Sequence, residues 1–510
     1  MSRVEARLLR EGLFGITARG FGLVAGLVTS WATIRFLGAE PYGVYVTALA
    51  VVNLVDVVAG LGLRGALLPE LTAARRAQTP ARLGALVRMG LLLSLLVWLL
   101  VGTAVAFLGG PIGELLDAPE SFEIALVLLL PFGLLQVWRG QLGGYLAAIG
   151  RVQVGFFIDH VARMLLLLAL LGGLWLATEA GAELPRLPAF SLGLVGIELA
   201  LFFFIWRRFQ PPPTDPTAVF PADLRARIFA TAAPIAIFLA LGAARDVAGK
   251  TMLAGIESTF VDVGVLALAL KLAAIVPIPQ GMLSQSLGPI SADLHQTGDV
   301  DGLRRAFQLS TLAGVVGGAA VVALVALWGP YVLSLYGEVY LAAYLPLLVL
   351  LAARLVSVAF GPTTSTLQMV QRTKVLVPTA GVALGLEIVL NLVLIPLYGV
   401  VGVAIASAIT AVVIAAIHAV ALWRITTVHA FGREMRVFGV MLLAVGGADV
   451  ALVAALGPLW GAVAGTLLSG TWVLLHLRWI IRHNDVALRE LVPAKLRRWL
   501  GRRSRGGRDG

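Results

Sequence analysis

The sequence predicts an all-α integral membrane protein of about fourteen transmembrane helices, built as two six-helix lobes related by a parallel pseudo-twofold repeat plus two appended helices. Three observations carry that prediction. The chain is 59% hydrophobic and only 13% charged, where a soluble domain is about 25% charged. Apolar runs long enough for a helical span, about 20 residues each, recur from end to end. Finally, the basic residues fall almost entirely on alternate connections between those runs.

In chain order the spans are expected at 11–34, 42–63, 89–109, 122–148, 153–178, 188–206, 228–249, 260–285, 307–330, 340–362, 375–396, 400–423, 437–456 and 459–477. The first follows Arg3, Arg7 and Arg10 as a secretory signal would, but it is too long, carries Arg19 and lacks a clear small-residue cleavage site. It is therefore read as a retained helix. Between the sixth and seventh spans lies the long polar stretch from Trp206 to Arg227, WRRFQPPPTDPTAVFPADLRAR, whose Pro211, Pro212, Pro213, Pro216 and Pro221 stop a helix and favour an extended connection. The organisation expected is an N-terminal lobe at 1–206, a cytoplasmic linker at 207–227, a C-terminal lobe at 228–424, appended helices at 425–482 and a basic tail at 483–510. In that tail, Leu488, Leu491, Leu496 and Trp499 alternate with charges, a pattern that suits either an anionic bilayer surface or a solvated tail.

With these spans, 30 of the 39 Lys and Arg residues fall on one side, only Arg35, Arg186 and Lys250 on the other, and six inside spans. The positive-inside rule then places both termini in the cytoplasm. An even number of spans agrees with that placement. The connections on the outer side are short.

The two halves also repeat. Tyr42-Gly43-Val44 aligns with Val263-Gly264-Val265, Gly110-Pro111 with Gly329-Pro330, and Arg151 with Arg372, at offsets of 219 to 221. Six spans per repeat return the chain to the side it entered from, so both halves share one orientation, the parallel arrangement of transporters that rock two bundles about a central site.

Several function classes are excluded on the same page. The net charge of +11 sits in short clusters between apolar runs, which is unlike a nucleic-acid surface. Cysteine is absent, so there is no thiolate metal site, disulfide framework or cysteine nucleophile. No Walker loop, dinucleotide fingerprint or HExxH stands out, and the six histidines do not cluster. A non-enzyme without a cofactor is expected, rather than a membrane polymerase or an ATP-driven pump.

The segment FLGAEPYGVYVTALAVVNLVDVVAGLGLRGALLPELTAARR, from Phe36 to Arg76, resembles the second-helix region of bacterial polysaccharide and O-antigen flippases. NLVLIPLYGVVGVAIASAIT, from Asn391 to Thr410, resembles their connection between spans 11 and 12, and Gly150-Arg151 fits their loop after span 4. These patterns are similar to the polysaccharide transporter branch of the multidrug/oligosaccharidyl-lipid/polysaccharide exporter superfamily, over nearly the whole chain to about residue 482. The resemblance implies alternating access by two lobes around a cavity bounded chiefly by spans 1, 2, 7 and 8. It also implies, as cargo, an undecaprenyl-pyrophosphate-linked oligosaccharide moved to the periplasmic leaflet of the inner membrane for polysaccharide, O-antigen or lipopolysaccharide synthesis; a transport core of this size can work as a monomer. A drug antiporter or the peptidoglycan-precursor flippase of the same superfamily is the alternative.

An ionisable group inside a span is costly and usually faces a wet cavity or a partner. The embedded cations are Arg19, Arg139, Arg163, Arg245, Lys271 and Arg354. Arg163 has Asp159 one turn earlier, which predicts a same-helix pair; the others have no acid at that spacing. Guanidinium and ammonium groups suit a pyrophosphate headgroup. Arg19, Arg245 and Lys271, on spans 1, 7 and 8, are accordingly expected to bind substrate. Arg139 and Arg354 belong to the same set, with an interhelical structural partner favoured for them. Asp56, Asp246 and Glu387 are the candidates for a coupling proton or sodium ion, against a simpler role neutralising the basic groups; Asp246 has Lys250 four residues on.

Overall fold

The computed structural model describes residues 3–213, 222–257, 259–281, 299–369 and 375–483, with side chains from residue 20 onward apart from scattered positions in the last two helices. Positions 214–221 of the linker, Arg372 and the tail beyond 483 lie outside the described residues. Every regular element among them is helical. In order these are α1 (Arg3–Leu37), α2 (Ala39–Gly60), α3 (Leu63–Arg76), α4 (Pro80–Leu115), α5 (Ser121–Ala148), α6 (Val152–Glu179), α7 (Arg186–Arg208) and α8 (Ala222–Glu257). There follow α9 (Phe260–Ala273), α10 (Val300–Tyr336), α11 (Glu338–Ala359), α12 (Thr363–Met369), α13 (Leu376–Thr426), α14 (Arg433–Leu456) and α15 (Pro458–His483).

Eleven of the described helical stretches are long and apolar enough to cross a membrane. The difference from fourteen has identifiable sources. The stretch 376–426 counts once, although Gly399 breaks it with φ 53° and ψ −127°. α9 has 14 residues, and the apolar part of α14, Ala444–Leu456, is short. Leu92, Leu96, Leu100 and Phe107 form an exposed apolar row on α4, which suits hydrocarbon and would be a liability in water.

The chain forms two compact units. The first comprises Met1–Leu268, Leu335–Ala343 and Leu376–Ala406, and the second Ala269–Ser334, Tyr344–Val375 and Ser407–Gly510. In the first unit α5 is the hub, packing on α2, α3, α4, α6 and α7. Leu63, Leu86, Leu142, Leu146 and Ile205 fill a buried cluster there. The linker closes on the same region: a Cβ on Gly84 would overlap the Pro212 carbonyl oxygen.

The tightest approach in the first unit lies where α2 meets α9. A Cβ on Gly43 would overlap the carbonyl oxygen of Phe260, and one on Gly264 would stand 3.4 Å from that of Ala39. The offset of 221 that aligns Gly43 with Gly264 also carries Ala39 to Phe260. Each contact therefore maps onto the other, as contacts do across a two-fold axis. Tyr42 and Tyr340 pack around the crossing edge to face, with ring centroids 6.5 Å apart.

The second unit holds the α14–α15 hairpin. It turns at Gly457, φ 79°, a left-handed position that favours glycine. Gly461 then lets α15 close on α14, since a Cβ there would overlap Val453. Trp328 of α10 donates to Thr466 Oγ1 of α15 at 2.9 Å, tying the hairpin to the rest of the unit.

Replacing Gly43 by Val is expected to destabilise the protein by at least the ~1–3 kcal/mol of an overpacked core. Gly242→Ala, in a helix with nothing within 4 Å of a new Cβ, is expected to be neutral or stabilising. Thermal unfolding in detergent followed by tryptophan fluorescence separates the two.

Candidate functional site

Because α5 lies between α6 and α7, it carries Arg139 into the interior of the first unit, where the side chain is 9% exposed. Arg139 Nε donates to Glu198 Oε2 of α7 at 2.7 Å, and its Nη1 to Asp159 Oδ1 of α6. Arg163 of α6 brings its Nε to 2.7 Å from the other oxygen, Glu198 Oε1. Glu198 is fully buried, so one carboxylate bridges two guanidinium groups. The arrangement is neutral, with two cations and two anions. The Arg163 guanidinium also stands over the Phe132 ring, 5.7 Å from its centroid.

This corrects the same-helix pairing of Asp159 with Arg163. Residues 158–162 form a π turn, one residue wider than an α turn, and Asp159 is joined to α5 instead. Arg163 takes the fully buried acid of α7, where an ion pair is strongest. Arg139 has the interhelical partners expected of it. Glu198 was not among the acids singled out from the sequence, although a lone acid in the apolar run LGLVGIELALFFF was a usable signal. His160, on the π turn, packs against Gly22 of α1, and its Nδ1 lies 3.3 Å from the Phe156 carbonyl oxygen.

Asp56 adds a third acid to the same region. It is 9% exposed on α2, and its Oδ1 has no hydrogen-bond partner among the described residues. That oxygen lies against α5 at Gly133, where any Cβ would overlap it.

A second ion pair in this unit joins α8 to α13: Arg245 Nε lies 3.3 Å from Glu387 Oε2. The acid is 5% exposed and the arginine 33%. Glu387 thus neutralises one of the basic groups expected to meet substrate. Asp246 pairs with Lys250 at 2.7 Å along α8, and its carboxylate is 47% exposed. In the second unit Lys271 is exposed on α9 and Arg354 half-buried on α11, and neither lacks a partner. Arg19 lies on α1, but its side chain is outside the described residues. The structure therefore brings Arg139 together with Arg163, keeps Arg245 in a separate pair, and places Lys271 and Arg354 in the other unit.

No protein-family model matches the chain, and no curated protein matches it. Solved structures do. A lipid II flippase, MurJ, in an inward closed conformation superposes with a TM-score of 0.70 at 13% identity, over 92% of this chain and 99% of that one. An inward-facing multidrug resistance MATE family transporter of the MOP superfamily gives 0.65 at 14% identity, over 81% and 98%. A MOP superfamily transporter from Pyrococcus furiosus, described as having a binding pocket of reverse polarity, gives 0.57 at 13%, over 83% and 95%. The chain thus shares the all-helical fold of these solved structures, and at these identities the likeness is one of fold.

Glu198→Gln is expected to lower stability by about 3–5 kcal/mol, because both guanidinium groups lose their shared buried anion. The double variant Glu198→Gln with Arg163→Gln is expected to recover part of that loss. Chemical unfolding of both variants beside the parent checks the order.

Proposed function

We propose that the chain is a flippase that carries an undecaprenyl-pyrophosphate-linked oligosaccharide from the cytoplasmic to the periplasmic leaflet of a bacterial inner membrane. It works by alternating access, in polysaccharide or O-antigen biosynthesis, with both termini in the cytoplasm. The observation that carries this reading is how two embedded arginines meet their acids. Arg163 and Arg245 each approach a carboxylate through Nε, and those carboxylates, Glu198 and Glu387, are 0% and 5% exposed. The arginines themselves are 27% and 33% exposed, and no described ion pair uses their Nη edges. A guanidinium held from behind keeps its terminal donors for a second anion, and the planar pair of Nη groups matches two phosphate oxygens. Arg245, with Arg19 and Lys271, is assigned to the pyrophosphate. Arg139, which spends two nitrogens on acids, is assigned to joining α5, α6 and α7.

The solved lipid II flippase gives independent support, because its likeness covers 92% of this chain, against 81% for the inward-facing drug transporter. The same neighbour favours a peptidoglycan precursor as the alternative cargo. A drug antiporter coupled to protons or sodium is supported by the likeness to solved MATE transporters and by the buried Asp56, whose Oδ1 has no hydrogen-bond partner among the described residues, since embedded carboxyls suit ion coupling.

Purified protein in liposomes is expected to flip a fluorescent polyprenyl-pyrophosphoryl oligosaccharide. Arg245→Gln is expected to slow that about tenfold or more, the worth of one charged hydrogen-bonded contact, and Arg245→Lys less. Undiminished flipping after joint neutral replacement of Arg19, Arg245 and Lys271 would defeat the proposal. In cells lacking the protein, the lipid-linked sugar that accumulates inside identifies the cargo; drug hypersensitivity without accumulation selects the antiporter.

A further inference from the structure

The second unit contains a cavity of about 470 Å³ enclosed by α10, α11, α14 and α15. That volume falls in the range of small-molecule sites. Its walls are apolar and aromatic, with Tyr331, Tyr344 and Trp472 among them, and Asp449 is the only charged residue in the lining. The exposed Val450 is also part of the lining, so the cavity is reached from outside the bundle.

Two residues of the lining, Asp449 and Trp472, each carry a buried polar atom with no hydrogen-bond partner among the described residues. Asp449, 6% exposed, accepts a hydrogen bond from Ser469 Oγ at 2.6 Å on Oδ2, while its Oδ1 has no hydrogen-bond partner among the described residues. Gly465 makes room for that oxygen, since a Cβ there would stand 3.0 Å away. Trp472 Nε1 is buried without an acceptor. The indole packs in a three-ring cluster with Phe438 and His476, each 4.8 Å from it by ring centroids. An acceptor that carries charge and a neutral donor therefore line one apolar chamber.

We propose that this cavity binds an amphiphilic organic ammonium whose N–H meets Asp449 Oδ1 and whose neighbouring oxygen accepts from Trp472 Nε1. A carboxylate among apolar walls is costly unless a cation reaches it, and aromatic faces favour that cation. A purely hydrocarbon ligand would leave Asp449 and Trp472 unmatched, and an anion would meet like charge. A metal ion would need several oxygen ligands, and no group of three acidic or histidine ligands exists among the described residues. The site shares no residue with the arginine pairs of the first unit, so it stands apart from the flipping reading.

The test is saturable binding of tritiated propranolol, an aryl amine with a hydroxyl beside its ammonium, to the purified full-length chain in dodecyl maltoside. Saturable binding is expected, with weak competition by uncharged 1-naphthol. Asp449→Asn keeps the shape and the Ser469 contact; it is expected to raise Kd about tenfold or more. Ala323→Phe, which fills the chamber, is expected to abolish binding while the protein still elutes as the parent does in size exclusion. Displacement by added phosphatidylethanolamine assigns the occupant to a lipid amine, and resistance to it assigns a soluble amine. Both outcomes support the proposal. Binding unchanged in both folded variants, or equal competition by 1-naphthol, overturns it.

Discussion

The close approach of α2 and α9 is the constraint on which the first unit depends. At Gly43 the two backbones are in contact, with no space for even a methyl group. Without side chains between them, the helices gain dispersion contacts along their backbones, the main source of helix association where surrounding lipid is as apolar as the protein. Because Gly264 makes the corresponding contact with Ala39, the crossing is built from the same residue pair used twice. A repeat that packs on its own copy in this way keeps both glycines under one steric requirement.

Charge is the second constraint. A guanidinium inside an apolar bundle must find a partner or water, and in the first unit two of the partners, Glu198 and Glu387, are buried deeper than the arginines they serve. Glu198 lies behind Arg139 and Arg163, and Glu387 behind Arg245. The bridging position of Glu198 makes α5, α6 and α7 one electrostatic unit. The described ion pairs of Arg163 and Arg245 are both made through Nε. Asp56 is buried with no hydrogen-bond partner on Oδ1 among the described residues. In the second unit Asp449 is likewise partnered on one oxygen only, by a neutral hydroxyl. Its surroundings are aromatic and aliphatic, so a different ligand chemistry follows from the same scarcity of counter-charge.

Membrane topology was legible in the sequence because hydrocarbon imposes a local rule. Each span must satisfy its own backbone and present apolar side chains, so length and composition mark it without reference to any other segment. The repeat was legible from residues in register, among them Gly43 and Gly264, and at Gly43 the backbone contact with Phe260 tolerates no side chain. The identity of Arg139 as an arginine with an interhelical partner could also be read, since its own helix offers no acid at the right spacing.

What the sequence determined by itself, then, was an all-helical membrane chain, its internal repeat and a set of costly embedded charges. Only the tertiary structure decided which charges meet. The reading from one helix joined Arg163 to Asp159, whereas a π turn and the packing of α5, α6 and α7 gave Asp159 to Arg139 and Glu198 to both arginines. Likewise, no periodicity in α14 or α15 announced that Asp449 and Trp472 would line one chamber with Tyr331 and Tyr344. Helical spacing orders residues along a single face, but ion pairs and cavities form between faces, and their geometry exists only once separate helices have packed.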